Sequence, residues 1–193
     1  MRRRSRSFRR PAPLQRPRRP VPPVVRRMLM RAHRAAEKGQ YAEAAEVYDR
    51  LAREAYTRAR VRPGVHMDLE AARCYLRSGE VDAARARLSR AAHRAVVVGY
   101  PLRCRPLVEQ IVQRLEAAGR PGEAAQFHSE MAELLQTLAP EPSEVPTSAS
   151  RSVPPRLPGS CPACSAPLHP EDLTWVAADR VTCPYCGTVV VAE

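Results

Sequence analysis

Four cysteines near the C-terminus have the spacing of a metal site. They fall into two pairs, Cys161-Pro162-Ala163-Cys164 and Cys183-Pro184-Tyr185-Cys186-Gly187, with 18 residues between them. A two-residue gap lets both thiolates of a pair reach one ion while backbone N–H groups of the turn point at the sulfurs. The interval between the pairs lies in the range of structural zinc sites. Together they offer four sulfur ligands, the closed tetrahedral set of structural Zn2+, with bonds of about 2.3 Å. Such a set leaves no open coordination position, so the expected role is structural rather than Lewis-acidic. His169 lies between the pairs as a spare nitrogen that a saturated ion does not need. Other uses of the thiols are iron binding, dithiol redox chemistry and disulfides. Iron calls for a wider gap and a more aromatic core. Dithiol redox chemistry calls for one Cys-x-x-Cys in a βαβ setting, and disulfides for an oxidising compartment. Zn2+ is the expected cofactor, held by Cys161, Cys164, Cys183 and Cys186.

The elements that must position these thiols are short. Leu173-Thr174-Trp175-Val176 and Arg180-Val181-Thr182 alternate like strands around Ala177-Ala178-Asp179, and Thr188-Val189-Val190-Val191 supplies a third strand. Residues 161–193 are too few to hold a fold by burial alone, so metal binding should supply the folding free energy. Over residues 159–193 the pattern resembles the zinc-ribbon family. Ser165 stands where many ribbons carry Gly after the first cysteine pair, so this residue must accept a backbone angle that Gly takes more easily.

The remaining candidates for chemistry are weaker. Cys74 and Cys104 lie singly, as buried thiols that pack like small apolar residues do. His33, His66, His93, His128 and His169 are scattered and pair with no recognisable nucleophile. No phosphate-cradling glycine loop, HExxH or GxSxG occurs. The expectation is a protein that is not an enzyme.

Upstream, three stretches align when shifted by 40 residues: Gly39-Gln40-Tyr41-Ala42-Glu43-Ala44-Ala45, Gly79-Glu80-Val81-Asp82-Ala83-Ala84-Arg85 and Gly119-Arg120-Pro121-Gly122-Glu123-Ala124-Ala125. Each Gly follows an apolar-periodic helix, as a left-handed C-terminal cap does. The helices beyond keep one register: Ala44, Tyr48, Leu51 and Ala55; Ala84, Leu88, Ala91 and Ala95; Ala124, His128, Met131 and Leu135. Their +4, +3, +4 steps hold four residues on one face. Six helices are expected, near 23–38, 42–60, 65–78, 81–96, 102–118 and 122–138, with breaks at Pro63-Gly64 and at Gly99-Tyr100-Pro101.

This middle region resembles the tetratricopeptide (TPR) family, whose helix-turn-helix repeat places Gly-x-Tyr at the turn and Ala-x3-aromatic on the second helix. Gly39-Gln40-Tyr41 with Ala44 and Tyr48 matches best. The period of 40 exceeds the family's, and Met28, Asp68 and Val108 replace its Trp. The resemblance implies a mostly α fold: three antiparallel hairpins stacked as a TPR-like array, followed by a small β zinc-ribbon module on a flexible linker. It also implies a concave groove for a protein partner, faced by Leu29, His33, Leu69, Arg73, Glu109 and Gln113. With no polar capping helix, the last hairpin is expected to leave Phe127, Met131, Leu134 and Leu138 for something else to cover.

Charge completes the organisation. The chain has 193 residues and a net charge of +12. Its first 31 residues hold 12 Arg and no acid, and the remainder is balanced. Crowded prolines and repelling charges make residues 1–22 an Arg/Pro-rich tail expected to be disordered. One Lys against 31 Arg, one Ile and no Asn point to a GC-rich, most simply bacterial, genome, so some of the Arg content is coding bias. The domains are then the tail (1–22), the helical repeats (23–139), a Pro/Ser-rich linker (140–160) and the ribbon (161–193). Ser5-Arg6-Ser7-Phe8-Arg9-Arg10 is followed by Arg and Pro rather than an apolar stretch, so export is not expected and a cytoplasmic location is. No apolar run is long enough for a membrane span. The leading expectation is a protein–protein interaction adaptor. The alternative is a nucleic-acid-associated zinc-ribbon protein whose tail makes nonspecific phosphate contacts.

Overall fold

The computed structural model describes residues 21–100, 102, 104–138, 156–170, 173–177, 179–186 and 188–192. The tail, apart from Val21 and Pro22, and linker residues 140–155 lie outside this set. Six helices follow in order: α1 (Pro23–Glu37), α2 (Tyr41–Thr57), α3 (Val61–Ser78), α4 (Val81–Val97), α5 (Arg105–Ala117) and α6 (Pro121–Leu138). A three-stranded antiparallel sheet closes the chain, with β1 (Thr174–Ala177), β2 (Arg180–Thr182) and β3 (Val189–Val191) in that order across it. Among the described residues no helix is long and apolar enough to cross a membrane.

The helix turns repeat at half the interval visible in sequence. Residues 39, 59, 79, 99 and 119 all have positive φ, and every one but Ala59 is Gly. At the first turn the Gly39 N–H reaches the Ala36 carbonyl at 3.0 Å and the Gln40 N–H reaches the Ala35 carbonyl at 2.9 Å. The same pair of bonds recurs at each of the other four turns. This is the Schellman arrangement, which satisfies carbonyls orphaned at a helix end. At four of the turns the residue after the left-handed position accepts the first hydrogen bond of the next helix, as Gln40 does from Ala44. The chain therefore reverses within about three residues, and consecutive helices pack on one another. Between α4 and α5 the turn runs on to Cys104, where Pro106 occupies the first helical turn without losing a bond.

Small side chains bring the helices close. Ala32, Ala44, Ala45, Ala52, Ala71, Ala72, Ala84, Ala91, Ala92 and Ala95 are fully buried, with Tyr48, Leu51, Leu69 and Leu88 between them. The central helix is α3, buried continuously from Gly64 to Ala72 and packed by both α2 and α4. The break expected at Pro63-Gly64 is absent. Pro63 sits in the first turn of α3, where its missing N–H has no intrahelical partner to lose. Gly64 is there for space: a Cβ would lie 2.5 Å from Tyr56 Cε1.

The third hairpin departs from the register expected of it. His128 is exposed and Phe127 is buried in its stead, next to Met131. Both positions border the same helical face, and the apolar ring takes the interior one. Phe127, Met131 and Leu138 are already covered within the chain, where α6 packs on α5 and α4. The uncovered apolar end face expected from sequence is therefore not formed by these residues.

A buried polar knot ties α2, α3 and α4. Asp68, fully buried, accepts from Tyr56 Oη at 2.7 Å and is paired with Arg90. Arg90 also donates to Asp49 at 2.6 Å. Arg87 approaches Asp49 from the same helix, and Arg53 lies one turn on from Asp49 in α2.

Candidate metal centre and its seat on the helices

The four cysteine sulfurs converge. All lie within 4.8 Å of one another, and three of the four residues are buried. Cys161 Sγ is 3.7 Å from Cys186 Sγ, and Cys164 Sγ is 3.8 Å from Cys183 Sγ. A tetrahedron with metal–sulfur bonds of about 2.3 Å has edges of about 3.8 Å. Both distances join one pair to the other, so the two turns interleave around a single point. The donor set fits a closed thiolate site for zinc.

Local backbone explains why the turns hold. Ser165 N–H bonds to Cys161 C=O at 2.7 Å, and Cys161 N–H to Ala166 C=O at 2.8 Å. Ser165 has φ +60°, the left-handed angle that a Gly would take without strain. On the second turn Cys183 N–H bonds to Thr188 C=O at 2.8 Å, and Thr188 N–H points at Cys186 Sγ across 3.5 Å. The strands fall where the alternation put them. Val181 pairs with Trp175 on one side and Val190 on the other. Val181, Val190, Leu168 and Leu173 form a small apolar core beside the sulfurs.

The cysteine module does not stand apart from the helices. Tyr185, inside the second cysteine pair, donates to Glu70 Oε1 at 3.1 Å. His169 Nε2 lies 3.1 Å from the same carboxylate. Arg73 reaches it from one turn along α3 at 2.6 Å. Burial alone would push the Glu70 carboxyl up. The hydrogen bonds from His169 and Tyr185, with the charges of Arg73 and His169, outweigh burial and bring it below its ordinary value. His66, one turn earlier, packs its ring 5.6 Å from that of Tyr185 and lies 2.7 Å from Tyr100 Oη. Burial holds His66 neutral and pushes its pKa down to about 4. The cysteine module, expected to stand apart on a tether, is thus seated on the central helix. The physical reason is that Glu70, buried in α3, takes two further donors from the module beside the one that Arg73 provides.

The six positions expected to face a groove are distributed differently from one another. Leu29 and Leu69 are buried. Leu29 lines a small cavity of about 30 Å³ together with Tyr185, Met67 and Val21. Arg73 lines a cavity of about 220 Å³ with Arg77, Gln110 and His169. His33 is half-buried and pairs with Glu37 at 3.3 Å, while Glu109 and Gln113 are exposed. Leu29 and Arg73 thus line cavities that residues of the cysteine module also line. Cys74 and Cys104 are buried, and burial pushes the Cys74 thiol up to about 12. Glu70 was not a candidate from sequence. Its register mates Met30 and Gln110 mark nothing unusual, and its own pattern is that of any helix-surface acid. Comparison with protein-family models, curated proteins and solved structures finds no match to this chain.

Proposed function

We propose that this chain is a non-enzymatic protein–protein interaction adaptor. In this reading three TPR-like hairpins present a binding surface, and a zinc-ribbon module held by Cys161, Cys164, Cys183 and Cys186 completes and stiffens it. The observation that supports it is the seat of the module. Two residues tied to the cysteine turns, His169 and Tyr185, both end on one buried carboxylate of the central helix. A metal at the sulfurs would fix those turns, and through them the face of α3. Zinc here supplies only a closed set of sulfur bonds, with no position for substrate. An array of alanine-packed helices offers a rigid, extended surface of the kind that binds another protein.

The test uses the full chain loaded with zinc. It should contain one zinc per chain by elemental analysis and capture a defined protein at salt high enough to suppress phosphate contacts. That capture should be reproduced in equimolar amounts with purified components. Capture confined to nucleic acid, and lost on raising salt, would overturn the adaptor reading.

A further inference from the structure

The charge of this chain does not end with the tail. Arg27, Arg31 and Arg34 on α1 and Lys38 at its C-terminal cap follow one another by +4, +3 and +4 and share one exposed face. They line a cleft of about 340 Å³ whose only acid is Glu43. Glu43 is held by Arg31 at 2.6 Å, and Arg27, Arg34 and Lys38 have no partner among the described residues. We infer that this face of α1 is a docking site for the phosphate backbone of nucleic acid, read without regard to sequence.

Three observations carry this. First, the N-terminal half of the stripe works against its own helix, and only Arg34 and Lys38 meet the negative end of its dipole. Like charges one turn apart repel, and the first turn of α1 holds no acid to meet the positive end of the helix dipole. A terminal helix that merely needed a wettable face would mix signs. Second, position matters beyond coding bias. The single Lys of the chain, which GC-rich coding disfavours, is the one that completes the stripe. Third, the partner must offer many negative charges along a line. The far face of α1, with Leu29 and Ala32, is buried in the core and cannot enter a lipid surface. No aromatic side chain lines the cleft, so backbone tracking rather than base stacking is expected.

The experiment measures anisotropy of a fluorescent DNA duplex of mixed sequence against the zinc-loaded full chain over a salt series. Each phosphate contact contributes about 0.9 to the slope of log K against log salt. Replacing all four basic residues by Gln should therefore lower the slope by about 3 to 4, and replacing the three Arg by Lys should leave it unchanged. Arg34→Gln with Lys38→Gln breaks no side-chain hydrogen bond or ion pair among the described residues, so it disturbs the fold least. It should lower the slope by about 2. An unchanged slope in that double variant overturns the inference. So does tighter binding, through the same four residues, to phosphatidylserine vesicles or to polyglutamate, which would assign the face to a membrane or an acidic protein. This inference is independent of the adaptor reading, because a chain with no protein partner would still show the slope change.

Discussion

Tyr185 donates its hydroxyl to Glu70 across 3.1 Å, joining the middle of a cysteine turn to the middle of the most buried helix. Both groups are buried. A hydrogen bond to a charged partner contributes about 1.5–3 kcal/mol, and a buried carboxylate left without donors loses more. Tyr185→Phe should lower unfolding stability by about 2 kcal/mol. Glu70→Gln should do at least as much, because it also strips His169 and Arg73 of their charge partner. Urea unfolding of the two single variants and the double should give a coupling of about 1 kcal/mol or more. Strict additivity would show that the module does not rest on α3 in solution.

The same relationship makes the metal a stabiliser of the helices. Chelation, or Cys183→Ser, should remove stoichiometric zinc and unfold the module, since binding energy is folding energy in sites of this size. Glu70 would then keep only Arg73. The helical signal should persist in the cold, yet its thermal midpoint should fall by several degrees. An identical midpoint with and without metal would mean that the two parts fold independently.

The knot at Arg90 is the second place where charge is buried. Arg90 serves Asp68 and Asp49 at once, and both carboxylates are almost fully covered. Burial pushes the Asp68 carboxyl up. It acts on Asp49 in the same direction, but there the hydrogen bond from Arg90 and the charges of Arg87, Arg90 and Arg53 outweigh it and bring that carboxyl down. Arg90→Ala should destabilise by about 3–5 kcal/mol, the usual consequence of stranding a buried charge. Asp68→Asn in the Arg90→Ala background should recover part of that loss, measured by the urea midpoint. No recovery would place the damage in packing instead.

The cysteine site was legible because metal geometry constrains covalent spacing directly: two pairs with two-residue gaps, Cys161 with Cys164 and Cys183 with Cys186, bring four thiols to one point. The helical turns were legible at Gly39, Gly79, Gly99 and Gly119 because a left-handed cap favours one residue type. Ala59 adopts the same angle without that marker, and so the end of α2 was read three residues late. The start of α3 was read late for a different reason. Pro63-Gly64 is a loop signal in isolation, and only the ring of Tyr56, packed from another helix, explains the Gly. Glu70 was illegible in principle. What makes it special is burial by a segment about a hundred residues away, and helix periodicity carries no information about that.

Two residues hold the left-handed conformation against their side chains. Ala59 has φ +55° and Ser165 has φ +60°. The αL region costs an L-residue about 1–2 kcal/mol, part of which Gly gives back through its looser unfolded chain. Ala59→Gly and Ser165→Gly should each raise stability by about 0.5–1 kcal/mol. Ser165→Gly should act on the module, through retention of zinc against a competing chelator, and Ala59→Gly on the helical transition. The opposite change at a crowded site should do harm. Gly64→Ala drives a methyl into Tyr56 and should cost about 1–3 kcal/mol despite the better helix propensity of Ala. Neutral outcomes at Ala59 and Ser165 would contradict these backbone angles, and a neutral Gly64→Ala would contradict the close approach of Tyr56.

His66 gives the fold a pH dependence whose sign follows from its burial. Its folded pKa of about 4 lies below the ordinary value of 6.5, chiefly because burial disfavours the cation. Nearby Glu70 pulls it up, while Arg73 and His169 push it down. The unfolded chain therefore takes up a proton before the folded one does. Stability from this group is complete above pH 6.5, falls as pH drops towards 4, and levels off below that. A shift of this size amounts to about 3 kcal/mol at most. Protonation of the cysteines also weakens metal binding in acid, so the measurement is a difference. Urea midpoints of wild type and His66→Gln should be compared at matched pH between 7.5 and 4. His66→Gln should be the less stable at neutral pH, where the imidazole packs on Tyr185 and bonds Tyr100, and the gap should close as pH falls. A gap that stays constant through this range would show that His66 titrates as an ordinary exposed histidine.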